Sequence, residues 1–233
     1  MSTMTLDLKG NVARKVAKFK EMKKQRGVTL LEIIIVLGII GVIAAGVVIL
    51  AQRAFTSQDI TDTINYTNSV RTAMEEAYKD AGEYPKDQSA YGKTKTDIGA
   101  TASSTSGAIE MLVAMGKVSK DEAFNSFSND PFQIGGVLSS PSASGNKAFY
   151  VLVNGVDSET CRNFISQIGD KWDYVQVVSG KTGTQVTGLP TDLTSGSGKD
   201  VLKTLTTNNL NATSIVGTCK NEGTDNVIVL GSR

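Results

Sequence analysis

Residues 28–51 read VTLLEIIIVLGIIGVIAAGVVILA, an apolar run whose only ionisable group is Glu32. Residues 33–51 carry no charge at all. As a helix, the 24 residues would extend about 36 Å, enough to cross a hydrocarbon core of about 30 Å. Past this run the pattern becomes amphipathic. Ile60, Ile64, Thr67, Val70, Met74, Ala77 and Ala81 recur at three- and four-residue steps. Gln58, Asp59, Asp62, Arg71, Glu75, Lys79 and Asp80 mostly hold the other positions. The spacing predicts one continuous helix over 29–81, stopped by Gly82 with Pro85 just beyond. Its apolar stripe reads as packing for the domain that follows rather than as a binding surface.

The remainder reads as α+β. Residues 86–106 are rich in Ser, Thr, Gly, Ala and Lys and predict an exposed loop. A short helix is expected over 108–115, and Ser119-Lys120-Asp121-Glu122 offers a capping signal for one more turn. Residues 148–153 (AFYVLV) predict a strand, and Asp157-Ser158-Glu159 opens a helix running to 168. Residues 173–178 (DYVQVV) alternate as a strand, 200–206 suggest a short helix, and 226–230 (NVIVL) a last strand. Segments 139–147 and 179–197 are turn-rich loops. Strands interrupted by helices imply an antiparallel sheet packed on the long helix.

Charge sharpens the picture of the first segment. Residues 1–27 hold eight Lys and Arg against two Asp and Glu, and the remaining 206 residues carry a net charge of −5. Basic residues directly before an apolar span stay in the cytoplasm, which sends the C-terminal part outward. Two bland readings compete, a removable signal peptide and a simple anchor. The apolar run exceeds the roughly 7–15 residues of a removable signal, although Ala44-Ala45-Gly46 could serve as its cleavage site. Glu32 fits neither, because a carboxylate inside an apolar span is costly and is by default a functional candidate. Gly38, Gly41 and Gly46 either allow close helix–helix approach or reflect the ordinary glycine content of membrane helices.

The 233 residues include no histidine. That removes Ser-His and Cys-His nucleophile pairs and His-ligated metals. The near-zero overall charge argues against a nucleic-acid partner. Asp121, Glu122 and Asp130 form at most a loose oxygen-ligand set and read as solvated carboxylates. Trp172, the only tryptophan, reads as packed at a helix-to-strand junction rather than as an adhesive patch. No catalytic residue, cofactor or metal site is expected. Cys161 and Cys219 are the only cysteines and both follow the apolar run. In an oxidising compartment an even pair is most simply one disulfide, and no CxxC spacing suggests a redox-active alternative.

Arg26-Gly27, then Val28-Thr29-Leu30-Leu31-Glu32 and an uncharged stretch, resemble the type IV pilin signature. The chain is similar to the type IVb pilins of enteric bacteria, the group of the toxin-coregulated, longus and colonisation factor antigen III pilins. Leu50-Ala51-Gln52-Arg53-Ala54-Phe55, Gly82-Glu83-Tyr84-Pro85 and the two cysteines carry the rest of the likeness. Departures exist. Val28 stands where type IVa pilins usually have Phe and close type IVb relatives often Met, and no proline lies between Val28 and Tyr84. The 27-residue leader also looks like type IVb.

The resemblance implies a pilin fold with a cytoplasmic leader (1–27), a membrane and filament-core helix (28–55) and a globular head (56–233). It implies cleavage between Gly27 and Val28 by a prepilin peptidase, N-methylation of Val28, and a filament-assembly role for Glu32. It further implies a homopolymer formed through N-terminal helices, an inner-membrane assembly platform, and a host receptor or secreted adhesin as outside partner. The precursor would sit in the inner membrane with its head periplasmic, and the product would be an extracellular pilus for aggregation, adhesion and colonisation. A minor pilin or type II secretion pseudopilin is the alternative within this architecture. A membrane-anchored periplasmic enzyme or binding protein is the alternative outside it.

Overall fold

The computed structural model describes residues 28–86, 90–99, 101–103, 105–195 and 200–233. The basic segment 1–27, with the expected cleavage residue Gly27, lies outside the described residues. The chain divides into two compact units at Arg53 and Ala54.

Helix α1 (Leu30–Tyr78) passes through both units. It starts where Thr29 supplies the cap: the Glu32 N–H donates to Thr29 Oγ1 at 3.3 Å. Thr-x-x-Glu is a capping-box sequence, and an acidic group in the first turn also complements the helix dipole. In the second unit α1 buries Ile60, Thr63, Thr67, Val70, Ala73 and Met74. Of the predicted stripe, Ile60, Thr67, Val70 and Met74 are buried, Ile64 and Ala77 are partly buried and Ala81 is exposed, while Thr63 and Ala73 join the buried face. Thr67 is accommodated because its hydroxyl donates to the Thr63 carbonyl at 2.9 Å. The helix ends three residues before the expected stop. Gly82 closes it with φ +70°, and its N–H donates to the Tyr78 carbonyl at 3.2 Å. Only glycine adopts that left-handed conformation without steric cost.

The second unit is built on a five-stranded, all-antiparallel sheet of order β1-β2-β5-β3-β4. Its strands are β1 (Gln133–Val137), β2 (Ala148–Val156), β3 (Tyr174–Ser179), β4 (Val201–Lys203) and β5 (Asn226–Ser232). Helices α2 (Ala108–Ala114), α3 (Ser158–Ile168) and α4 (Ala212–Thr218) and a 3-10 turn (Gly169–Lys171) fill the connections. One sheet face presents Phe149, Val151, Val153, Val175, Val177, Ile228 and Leu230 to the core that includes Val70, Met74, Leu112, Phe164 and Trp172. The other face, with Tyr150, Leu152, Tyr174, Val227 and Val229, is covered by Val186, Leu193, Leu189 and Leu205. An antiparallel sheet often leaves one face wet; here a loop layer dries it. Backbone bonds pin that layer: Leu138 N–H to Thr191, Leu193 N–H to Leu138 and Leu205 N–H to Leu193.

Three local expectations need correction. Residues 200–206 are not a helix: Val201–Lys203 is the edge strand β4, paired with Val175 and Gln176. Leu202 and Leu205 enter opposite cores, and strand pairing overrides the weak helical pattern. Strand β1 was not anticipated, because Gly135 and Gly136 weaken its signal. Gly136 is required there: an added Cβ would lie 2.7 Å from the carbonyl oxygens of Tyr84 and Pro85. Helix α4 was also not anticipated. Its N-cap, Asn211, accepts from the Ser214 N–H at 2.9 Å, a legible sign outweighed by Thr213, Ile215, Val216 and Gly217. Ser119 and Glu122 do cap each other, through Ser119 N–H to Glu122 Oε2 and Glu122 N–H to Ser119 Oγ. The single turn they close leads into the Phe124–Pro131 bridge.

Candidate functional site

Two surfaces carry the chemistry, one in each unit. In the first, every Ile, Leu and Val from Leu30 to Leu50 is exposed, Leu30 by as much as 78%. Among the described residues this is the one helix long and apolar enough to cross a membrane. Gly38, Gly41 and Gly46 have nothing within 4 Å of an added Cβ. Gly38, Gly41 and Ala45 follow three- and four-residue steps and lie on one side of α1, a low strip where another helix backbone can approach. Glu32 stands in the first turn, one turn from Val28. The geometry therefore offers an anionic group near a helix start, surrounded by side chains that water does not favour.

In the second unit, Cys161 on α3 and Cys219 at the end of α4 form a disulfide with Cα atoms 5.9 Å apart. Both are fully buried. Asp157 caps α3 by accepting from the Thr160 N–H at 2.8 Å. Arg162 reaches across to donate to the Cys219 carbonyl at 3.1 Å. The bond thus clamps α3 to α4 and encloses β3, the loop layer and β4. Val216 on α4 is half exposed, and Lys220, directly after Cys219, pairs with Asp200 at 2.9 Å.

Asp192 anchors the loop layer. Burial pushes its carboxyl up, but hydrogen bonds from the Thr194 hydroxyl and the Ser195 and Thr194 N–H groups outweigh this and hold it below the usual range. Tyr174 beneath the layer is raised by burial and by Asp192. Its hydroxyl donates to Gln176 at 2.9 Å. Both are structural devices.

The other candidates disperse. Asp121 pairs with Lys95 at 2.8 Å, Glu122 caps Ser119, and Asp130 accepts from Asn154 Nδ2 and the Gly183 N–H. Among the described residues no three such groups come together as a metal set. Trp172 is buried at the turn between α3 and β3, with the Arg71 guanidinium 5.2 Å from its ring centre. A cation over an aromatic face is attracted to it. Arg71 also donates to the Lys171 carbonyl at 2.6 Å and pairs with Glu75 at 3.0 Å. Sequence reasoning missed this Arg71 clamp and the Thr29 cap; the Thr-x-x-Glu spacing was the readable sign of the latter.

Comparison with known proteins agrees with this arrangement. Residues 111–227 match the family described as "Toxin-coregulated pilus subunit TcpA", and residues 22–48 match the "Prokaryotic N-terminal methylation motif". The chain is 39% identical over 176 residues to "Toxin coregulated pilin" of Vibrio cholerae serotype O1, an alignment covering 74% of this chain and 72% of that one. A second Vibrio cholerae "Toxin coregulated pilin" is 40% identical over the same shares. The crystal structure of "TcpA, a Type IV pilin from Vibrio cholerae El Tor biotype" superposes with a TM-score of 0.59 at 25% identity. It covers 76% of this chain and 99% of that one.

Proposed function

The chain belongs to the type IV pilin family, in its type IVb branch, and on that premise we propose that the first turn of α1 carries its processing and assembly. The family is a structural one, and the function is that of a pilus subunit. The methylation motif and the apolar helix fit a membrane-anchored precursor that becomes part of an extracellular pilus.

The observation that carries the proposal is the unbroken exposure of the apolar half of α1, with one carboxylate at its start. Such a surface needs an apolar medium, lipid before assembly and other copies of the helix afterwards. Transfer between two apolar media gives little hydrophobic gain, so packing and polar pairing must drive association. Cleavage between Gly27 and Val28 by a prepilin peptidase frees an amine beside the positive end of the helix dipole, where a cation is disfavoured. Glu32 compensates it, and methylation of Val28 leaves the amine charged. In a filament core, the amine of an incoming subunit meets the Glu32 carboxylate of its neighbour. Low dielectric strengthens that attraction, and either charge left unpaired there is costly. The pairing fixes axial register where apolar packing alone permits sliding.

We assign residues 1–27 to the leader, 28–55 to the membrane and core segment, and 56–233 to the head. The leader stays cytoplasmic and the head is periplasmic until an inner-membrane platform extrudes the subunit. Aggregation, adhesion and colonisation, through a receptor or a secreted adhesin, follow from exposing the disulfide-bounded surface on the fibre. N-terminal sequencing and intact mass of protein from sheared fibres test the reading. The expected mature chain begins at methylated Val28. A mature chain beginning near Val47, as ordinary signal peptidase would leave, overturns it.

A further inference from the structure

We infer that the slot between β2 and β3 is a strand-acceptor site, filled in cis by β5 and able to take the β5 strand of a second copy. The topology comes first. β2 and β3 do not pair with one another; β5 separates them and bonds to both. Leu230 lies between Val151 and Val175, Val229 between Leu152 and Gln176, and Ile228 between Val153 and Val177. The strand that completes the centre of the sheet thus follows every other described element in chain order. Helices α3 and α4 and the disulfide all precede it.

Recognition in the slot belongs to β5 itself. All seven of its residues are buried. Ile228 and Leu230 enter the core on the α1 face, and Val227 and Val229 enter the core under the loop layer. Asn226 fixes the entry by donating to the Val156 and Asn221 carbonyls at 2.9 and 2.8 Å. Gly231 sets the register. A Cβ at that position would lie 2.8 Å from both Leu193 Cδ2 and Tyr174 Cβ. A strand shifted by one residue would place a side chain in that gap and exchange its two faces.

The covalent link contributes proximity rather than specificity. Residues 220–225 join β5 to Cys219, and 222–225 are exposed. A link this short holds β5 at an effective concentration in the millimolar range, which favours filling in cis. A second copy carries the same strand with the same register mark, and a chain that polymerises is concentrated with its own kind. Exchange of an identical element between copies is the low-cost route to a swapped pair.

The test uses the full-length chain in detergent with a protease site inserted between Gly223 and Thr224. After cleavage the chain is taken to its urea midpoint and diluted with a fluorescent peptide of residues 224–233. Trp172 emission reports refolding. The expected results are native emission, a melting temperature that rises with added peptide, and fluorescent peptide retained by the chain. A Gly231→Val peptide is expected to be taken up about tenfold less or weaker still, given the cost of overpacking. Three outcomes overturn the inference: a cut chain that neither peptide refolds, refolding without retained label, or equal uptake of the two peptides.

Discussion

Between Leu30 and Leu50 every large aliphatic side chain is exposed, whereas along β5 every residue is buried. The two segments are similarly apolar in sequence, and neither alternates with polar residues. What separates them is length and flanks. Nineteen uncharged residues with a basic cluster upstream make a helix long and apolar enough to cross a membrane. Seven residues flanked by Asp225 and Arg233 fit one strand of a sheet. An unalternating strand requires cover on both faces, and Val186, Leu189, Leu193 and Leu205 supply the second cover. Uniform apolarity alone therefore does not state a destination.

The largest expected effect acts on the first unit alone. Glu32→Val should insert and be cleaved normally yet yield no pili, counted by electron microscopy of whole cells. Co-expressed wild-type subunits should restore some fibres. Wild-type fibre numbers from Glu32→Val alone would remove the register role and leave Glu32 as a helix-start residue. The next effect acts on the second unit alone. Phe149→Ala opens a cavity under the sheet beside Tyr84 and should cost about 3–5 kcal/mol in urea unfolding. Cys161→Ser should cost about 2–5 kcal/mol and lower surface fibres through degradation of the head, with membrane insertion intact. If both native thiols alkylate without reductant, the disulfide is absent.

Those predictions separate what the sequence displayed from what it concealed. The long helix, its Gly82 stop, β2, α3 with its Asp157 cap, β3 and β5 were legible because pattern and punctuation agreed. The concealed elements were those whose reason lies far along the chain. Gly136 answers to backbone at Tyr84 and Pro85, so β1 looked like loop. Val201–Lys203 answers to β3, so its short run read as helix. Glu32, Cys161 and Cys219 stood out for a different reason: Glu32 is conspicuous by cost, and the cysteines by scarcity.

Smaller effects sharpen the second unit further. Asn211→Ala removes the α4 cap and should cost about 1 kcal/mol, read as a lowered urea midpoint. Acid should act with the opposite sign from Asp59, whose carboxyl is raised by burial and by Asp62. Asp192 and Glu122 are held low, so the stability they add is complete above their unfolded values. It is lost as pH falls from about 5 through their folded values. Asp192→Asn keeps an acceptor oxygen for the same donors but no charge, and should flatten that slope by the smallest amount in this series.

The complete burial of Cys161 and Cys219 gives the disulfide a second use, as a clock. A reductant's thiolate must reach sulfur along the bond axis, and in the closed head it has no path. Reduction therefore waits for α3 and α4 to part, and its rate in excess dithiothreitol counts those partings. A subunit held in lipid and one held in a fibre would tick at different speeds, and the ratio would measure how much assembly slows the breathing of the head.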